Sequence, residues 1–183
     1  MDSDLLTLLL VILAAATGLN LFLILRIAGI VLPDPDPVED LVPLVGQSLP
    51  AFVAERRGAG DSVTAEELSK GPAVLIFISP ACPACRSKIA ELVELLPAIE
   101  AAGVALWIAA ADAHHDITAM TAGSPLAERT LSIDQATREM LNPSGAAPLY
   151  IFLDEAWAIR AGNYIGDENW QTFVAQMRET APV

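Results

Sequence analysis

The chain has 183 residues, which is enough for one ordinary domain and an appendage but not for two full-sized domains. Its formal net charge is −13 and its only lysines are Lys70 and Lys88. That charge is unsuited to a nucleic-acid backbone or an anionic lipid surface, so we expect no nucleic-acid partner. Apolar residues make up 54% of the chain, above the roughly 45–50% of soluble domains, and the excess lies at the N-terminus.

Residues 5–25, LLTLLLVILAAATGLNLFLIL, carry no charge. At about 1.5 Å per residue, a helix of this length spans the roughly 30 Å of hydrocarbon in a bilayer. Asp2 and Asp4 stand where a cleaved signal peptide has basic residues, so residues 1–32 are predicted to be an uncleaved transmembrane anchor. The alternative, a buried core helix, would have to hide apolar groups on every side. Arg26 alone leaves the orientation open, because one arginine can reach either headgroup layer.

The segment 33–43, PDPDPVEDLVP, combines alternating prolines with several acidic residues. Prolines at this spacing favour the polyproline II conformation, and neighbouring acids repel one another. We therefore predict a stiff linker that holds the following domain away from the membrane.

Residues 44–183 alternate between strand and helix patterns, which is typical of an α/β domain. Pro97 is expected to kink or end the helix in which it lies. In chain order we predict an opening hairpin at 51–68 with its turn at Gly58–Gly60, a buried strand at 73–78, a helix from near Cys82, a buried strand at 104–110, a short helix at 137–141, strands at 148–153 and 157–162 around a turn at Asp154 and Glu155, and a closing helix at 168–179 capped by Asp167.

Cys82 and Cys85 are the only cysteines, and they lie where a buried strand gives way to a helix. Pro83 fits the first helical turn, where its missing N–H costs nothing, so Cys82 is placed at the helix N-terminus. Free backbone N–H groups and the positive end of the helix dipole stabilise a thiolate at that position. The spacing and its context therefore favour thiol–disulfide exchange.

Three other roles for the cysteine pair are less favoured. A disulfide across so short a loop would stabilise the fold by only about 2 kcal/mol, against about 3 kcal/mol for a 15-residue loop. Zinc needs two more ligands, and His114 and His115 are adjacent rather than one helical turn apart. Covalent haem needs a histidine directly after the second cysteine, where this chain has Arg86. We expect no metal and no cofactor.

Other residues with reactive or aromatic side chains receive structural interpretations. His114 and His115 lie in a polar stretch after a strand and are expected to be solvated. Lys88, one turn after Cys85, is likewise expected to be solvated. The tryptophans are expected to pack in or against the core: Trp107, Trp157 and Trp170.

Nearly all of residues 44–180 resembles the thioredoxin-like superfamily, in its membrane-tethered, extracytoplasmic TlpA/ResA-like branch. The segment VGQSLPAFVAERRGAGDSVTAEELSKGPAVLIFISPACPAC is similar to that branch's N-terminal hairpin and redox motif. IDQATREMLNPSGAAPLYIFLDEAWAIRAGNYIG is similar to the superfamily's second signature. The resemblance implies a central mixed sheet with flanking helices, and it places Pro148, preceded by Ala147, as the cis-proline that faces the cysteines and binds the substrate. It also implies that Cys82 attacks and Cys85 resolves.

Within this branch, the order and spacing of LRIAGIVLP, FISPACPAC and IFLDEAWAIRAGNYIGDENWQTF resemble the methylamine utilisation accessory (MauD-like) proteins. This resemblance implies an inner-membrane protein whose domain faces the periplasm. Its partners would be protein clients with thiols or disulfides and an upstream membrane or periplasmic redox partner. The implied role is disulfide formation or maturation of a periplasmic amine dehydrogenase.

Two positions depart from thioredoxin itself. Ala81 stands in place of the tryptophan before the first cysteine, and Ile76 in place of a buried aspartate six residues before it. The usual acceptor for the proton of Cys85 is therefore missing. Lys88, Glu91 and Glu94 are loose alternatives.

Three other functions remain open. A reductant for cytochrome c maturation would use the same chemistry on another client. A thiol peroxidase would need proline seven residues and threonine or serine three residues before the reactive cysteine. Leu75 and Ser79 occupy those positions, so the motif is half matched. A non-catalytic membrane assembly subunit would not need the cysteines at all.

Overall fold

The computed structural model describes residues 12–13, 16–17, 19–20, 41–42, 44–57, 59–68 and 70–180. The chain divides into two units, Met1–Glu39 and Asp40–Val183. In the first unit the described residues are helical, and the hydroxyl of Thr17 donates to the carbonyl of Leu13 at 2.8 Å. Among the described residues, no helix has both the length and the apolar character of a membrane span. The predicted anchor and linker lie largely outside the described residues.

The second unit contains a seven-stranded mixed sheet with helices on its faces, which confirms the predicted α/β arrangement. The strand order is β2-β1-β5-β4-β3-β6-β7. The strands are β1 (Val53–Arg56), β2 (Asp61–Thr64), β3 (Ala73–Ile78), β4 (Ala105–Ala110), β5 (Thr130–Ile133), β6 (Leu149–Leu153) and β7 (Ile159–Tyr164). The α-helices are α1 (Ala65–Leu68), α2 (Pro83–Ala101), α3 (Thr118–Thr121), α4 (Gln135–Leu141) and α5 (Glu168–Thr180), and a 3₁₀ turn covers Ala127–Arg129.

Strand β3 lies in the interior of the sheet, between β4 and β6, and all six of its residues are buried. It pairs in parallel with β4 and antiparallel with β6. Because successive strand residues face opposite sides, β3 contributes to two hydrophobic cores. Val74, Ile76 and Ile78 pack on the side of α2 and α5, and the alternate residues pack on the other side. An unbroken apolar run is what such a strand requires.

The predicted opening hairpin is confirmed, with β1 and β2 paired antiparallel from Val53↔Thr64 to Arg56↔Asp61. Its last residues form the short helix α1 instead of more strand, because Thr64 and Glu67 make a capping box. The Glu67 carboxylate accepts from the Thr64 N–H at 2.7 Å, and the Thr64 hydroxyl accepts from the Glu67 N–H at 3.2 Å. Val42, near the end of the predicted linker, is buried in the hydrophobic core and lies against Gly162 of β7.

Pro97 was expected to kink or end its helix, and the second of these is wrong, because α2 continues past Pro97 to Ala101. Pro97 lies on the exposed side of the helix. The one backbone hydrogen bond that is lost because proline has no N–H is therefore lost on the solvent side. The residues on the other side of this turn, Leu95, Leu96 and Ile99, are buried against the sheet. Their packing carries the helix past the proline.

Strand β5 and helix α3 were not predicted. Strand β5 joins the parallel strands to the hairpin, pairing with β4 on one side and β1 on the other. Its first residue, Thr130, is a buried polar residue that bonds the carbonyl of Leu126 and the hydroxyl of Thr121. The predicted closing helix is confirmed as α5, and Asp167 caps it by accepting from the Trp170 N–H at 2.8 Å.

Candidate functional site

The two cysteines lie at the carboxyl end of β3, where the chain turns into α2. Cys82 is the N-cap residue of this helix and Pro83 follows in its first turn. The Cys82 N–H donates to the Ser79 carbonyl at 3.0 Å, and the Cys85 N–H donates to the Cys82 carbonyl at 3.1 Å. The predicted strand-to-helix junction is therefore present, with Cys82 beside the unpaired N–H groups of the first helical turn.

The two sulfurs differ in access to solvent. Both cysteines are free thiols, Cys82 partly exposed and Cys85 fully buried. Burial raises the pKa of the Cys85 thiol to about 12, and its hydrogen bond with Cys82 adds to this effect, against a smaller opposing effect of the Ser79 backbone. An external disulfide can therefore meet Cys82 first, while Cys85 keeps its proton until a base removes it.

The predicted cis-proline loop lies against Cys82. The bond between Ala147 and Pro148 is cis, as the resemblance implies. The Cys82 thiol lies 3.4 Å from the Ala147 carbonyl oxygen and donates to it. The structure thus brings together three of the residues singled out in the sequence, namely Cys82, Ala147 and Pro148, although they lie 65 residues apart in the chain.

Asn142, which the sequence analysis did not single out, holds this loop in place. It is buried, its side-chain amide donates to the Ala146 carbonyl at 2.9 Å, and its side-chain oxygen accepts from the Ala146 N–H at 3.0 Å. This paired bond fixes the backbone one residue before Ala147. An asparagine directly after helix α4 and before PSGAAP was the available signal, since asparagine often bonds nearby backbone in turns.

Ile76 occupies the position of the missing buried acid and is fully buried. Its partner across the sheet is Tyr150, which is equally buried. The Tyr150 hydroxyl donates to the carboxylate of Asp167, with 3.0 Å to each oxygen. Burial, followed by the bond to Asp167, raises the pKa of Tyr150. The polar group on this face of the sheet is therefore a tyrosine with a satisfied hydroxyl.

The loose candidates for the proton acceptor are engaged elsewhere or exposed. The Lys88 ammonium, which remains partly exposed, lies 2.6 Å from the Glu91 carboxylate one turn along α2. Glu94 is exposed on the same helix. None of the three is placed against Cys85 by a hydrogen bond among the described residues.

The remaining predicted site residues lie away from the sulfurs. His114 and His115 are exposed in the loop after β4, and His115 Nδ1 lies 2.7 Å from an Asp112 carboxylate oxygen. Leu75 is buried within β3, and the Ser79 hydroxyl accepts from the Ala81 N–H at 3.2 Å. The described residues contain no cluster of three or more histidine, cysteine, aspartate or glutamate side chains that could hold a metal ion.

Solved structures with the same fold include several thiol-active proteins. A thiol:disulfide interchange protein from Bacteroides sp. is 17% identical, with a TM-score of 0.56 over 73% of this chain and 90% of that one. The thioredoxin domain of a thiol-disulfide oxidoreductase from Bacteroides vulgatus is 16% identical, with a TM-score of 0.55 over 75% and 98%. The reduced 2-Cys peroxiredoxin of Plasmodium vivax is 16% identical, with a TM-score of 0.52 over 74% and 95%.

These likenesses confirm the thioredoxin-like fold. No curated protein matches the chain significantly. The AhpC/TSA family matches residues 45–140, just over half of the chain, and this segment includes β1 to β5, all of α4 but its last residue, and both cysteines. The protein therefore belongs to the AhpC/TSA family.

Proposed function

We propose that the protein is a membrane-tethered thiol–disulfide oxidoreductase that exchanges disulfides with protein clients in the periplasm. One observation carries the chemistry. A partly exposed Cys82 lies at the start of α2, 3.4 Å from the Ala147 carbonyl oxygen, and a buried Cys85 follows it three residues later. Membership of the AhpC/TSA family and the thiol:disulfide interchange proteins among its structural neighbours support thiol–disulfide oxidoreductase activity.

The exchange proceeds in two balanced steps. The Cys82 thiolate attacks one sulfur of a client disulfide, a mixed disulfide forms, and the other client sulfur leaves as a thiolate that takes up a proton. Cys85 then loses its proton and attacks the sulfur of Cys82, which releases the second client thiol. The client has gained two electrons and the protein holds a Cys82–Cys85 disulfide. Client oxidation is the reverse sequence, and an upstream redox partner resets the pair.

The loop at Ala147 and Pro148 forms one wall of the binding site for the client. The Ala147 carbonyl, which accepts from the Cys82 thiol in the free protein, is a partly buried backbone acceptor beside the reacting sulfur. An extended client segment that pairs with this backbone would carry its disulfide to Cys82. Asn142 keeps the wall rigid through its two bonds to Ala146.

The proposed membrane anchor and the proposed client are supported by the sequence alone. The uncharged segment 5–25 supports an inner-membrane anchor, and the likeness to MauD-like proteins supports a periplasmic domain and maturation of an amine dehydrogenase-like enzyme. Protease treatment of spheroplasts tests the placement. Digestion of the domain from outside supports a periplasmic location, and protection of the domain contradicts it.

Trapping of the mixed disulfide tests the function. In a Cys85→Ser variant the second step is blocked, so clients should remain linked to Cys82 as adducts that a reductant releases and mass spectrometry identifies. The Cys82→Ser variant is the matched control and should trap nothing. Absence of any protein adduct under oxidising conditions would contradict exchange. Consumption of hydrogen peroxide with a dithiol reductant would favour a thiol peroxidase instead. Unchanged client maturation in the double cysteine variant would favour an assembly role.

A further inference from the structure

A polar cleft of about 230 Å³ lies at the carboxyl ends of β4 and β5. It is formed by the loop 111–117, the end of β5, and two arginines from distant parts of the chain, Arg57 and Arg138. The chain as a whole carries a net charge of −13. Two guanidinium groups at one small cleft are therefore a local departure from the overall charge.

Arg138 is the buried member of this pair, with only 9% of its surface exposed. One terminal nitrogen donates to the Ile133 carbonyl at 3.2 Å, but the buried Nε has no hydrogen-bond partner among the described residues. Within the same part of the chain, no carboxylate forms an ion pair with this guanidinium. A buried cation and an unmade hydrogen bond are both unfavourable unless a partner is supplied. Asp134, four residues earlier, interacts with the charge of Arg138 at longer range, so what remains unmet is the hydrogen bond of the buried Nε.

Arg57 approaches the cleft from the end of β1. Its backbone N–H donates to the Thr130 carbonyl at 2.9 Å, which fixes it beside β5, and its side chain is exposed. Its guanidinium donates to the Ser132 hydroxyl at 3.2 Å, and its charge also contributes to the lowered pKa of Asp116 across the cleft. Arg57 can therefore supply a second set of donors to a ligand that Arg138 binds.

The two acids of the cleft are already bonded to their own loop. Asp112 accepts from the His114 N–H at 2.7 Å and contacts His115 Nδ1 at 2.7 Å. Asp116 accepts from the N–H of Thr118 at 2.8 Å and from its hydroxyl at 2.5 Å. The bond from His114 lowers the pKa of Asp112, and the bonds from Thr118 lower the pKa of Asp116. Both acids are thus held as carboxylates mainly by bonds within their own loop, with a smaller contribution of Arg57 to Asp116.

The size and charge of the cleft indicate the ligand class. Two guanidinium groups face two carboxylates, so one added carboxylate is accommodated more readily than a doubly charged phosphate. A planar carboxylate also matches the paired donors of a guanidinium. About 230 Å³ admits a carboxylate-bearing side chain or a small organic acid but is below the usual range of about 300–1,000 Å³ for larger ligands.

The cleft shares its edge of the sheet with the cysteine site. Ala110, at the end of β4, is the register partner of Ile78, at the end of β3, and the Ala111 N–H donates to the Ile78 carbonyl at 2.9 Å. The loop 111–117 therefore starts beside the turn that leads to Cys82. A polypeptide bound at Cys82 has this loop as a neighbour along the sheet edge.

We infer that the cleft between Arg57 and Arg138 is a carboxylate-binding subsite, which receives an acidic side chain of the protein client or a free small carboxylate. Binding of a client side chain rests on the proposed function, whereas binding of a free carboxylate does not. Neither arginine contacts the sulfurs, so the subsite selects the ligand and takes no part in the exchange of electrons.

The first arm tests carboxylate binding without redox chemistry. The full-length Cys82→Ser, Cys85→Ser protein, labelled with ¹⁵N-arginine in detergent micelles, is titrated with sodium acetate against sodium chloride at equal ionic strength. The subsite predicts a saturable shift of the Arg138 Nε–H resonance, which an Arg138→Lys variant identifies by its loss. Arg57→Gln should weaken the binding, and Arg160→Gln, an exposed arginine paired with Asp154, should not. A response equal to that of chloride overturns the subsite.

The second arm separates the two sources of the carboxylate. Disulfide-bonded test peptides carry glutamate at successive positions from the cysteine, each with a matched glutamine peptide. At one position the glutamate peptide should exchange about tenfold faster than its control, and Arg57→Gln should abolish this preference while the glutamine peptides keep their rate. Acetate binding with equal peptide rates would assign the subsite to free carboxylates. If no peptide exchanges at all, the proposed function fails, and the acetate titration alone decides the subsite.

Discussion

The Cys82 thiol lies 3.4 Å from the carbonyl oxygen of Ala147, so the attacking sulfur and the loop before Pro148 are in direct contact in the reduced protein. Cys85, three residues further along α2, is fully buried. One sulfur is therefore partly accessible to solvent and the other is enclosed in the core.

This difference predicts unequal alkylation of the two thiols. With a pKa of about 12, only about one Cys85 in ten thousand is a thiolate at about pH 8. Iodoacetamide should modify Cys82 at least about 100-fold faster than Cys85 in the reduced, folded protein. Both cysteines lie on one tryptic peptide, 71–86, so tandem mass spectrometry must locate the label. Denaturation in urea should make the rates similar, and equal rates in the folded state would contradict the geometry.

The hydrogen bond between Tyr150 and Asp167 should contribute to the free energy of unfolding. Tyr150→Phe removes a buried hydroxyl that donates to a carboxylate and should lower the free energy of unfolding by about 1–2 kcal/mol. Urea denaturation measures the change. Tyr164→Phe is the control, because that ring is 48% exposed. Equal effects of both variants would indicate that the Tyr150 hydroxyl contributes nothing specific.

Gly162 leaves room for Val42, and this predicts a clash on substitution. A Cβ at position 162 would lie 2.2 Å from Val42 Cγ2 and 3.1 Å from the Tyr150 carbonyl oxygen. Gly162→Ala should therefore lower the free energy of unfolding by about 1–3 kcal/mol through overpacking.

Val42→Ala should relieve part of this clash, so the double variant should be more stable than the sum of the two single effects predicts. Urea denaturation of all four proteins completes the cycle. Strict additivity would show that residue 42 does not pack against residue 162 in solution.

The carboxylates bonded to backbone N–H groups predict a loss of stability in acid. The bond from the Thr137 N–H lowers the pKa of Asp134 below its ordinary value of 3.8. The folded protein thus binds this proton more weakly than the unfolded chain, so the stabilisation is complete above the ordinary value and is lost as the pH falls through the lowered one.

Asp134→Ala should therefore destabilise the protein clearly at about pH 7 and much less at about pH 2, as urea midpoints across this range would show. Glu155→Ala serves as the control, because Glu155 is exposed and makes no hydrogen bond or ion pair with other described residues. A destabilisation by Asp134→Ala that is the same at both pH values would refute the linkage.

The cysteine site could be predicted because its information is local. A buried apolar strand, a proline in the first helical turn and two cysteines are adjacent in the sequence, and the structure keeps them at one junction. Strand β5 could not be predicted in this way. It has only four residues, two of them polar, and it exists because β1 and β4 pair with its two edges.

The same reasoning explains why the cleft between Arg57 and Arg138 could not be predicted from the sequence. Arg57 and Arg138 are far apart in the sequence and meet only through the placement of β1 and β5 in the sheet. His114 and His115 were correctly expected to be exposed, yet the loop that carries them forms part of the cleft. A polar residue that looks solvated in the sequence can line a site once distant cations are brought to it.

The division of the interior by the sheet gives each of its faces a separate optical reporter. Trp157 is buried on the side of α1 and α4, and Trp107 is partly buried on that same side, whereas Trp170 is buried on the side of α2 and α5. Trp170 also stacks parallel to Phe152, with ring centroids 6.2 Å apart. Intrinsic fluorescence of single-tryptophan variants can thus distinguish whether the layer that carries the cysteines loosens before the opposite layer or together with it, without any added label.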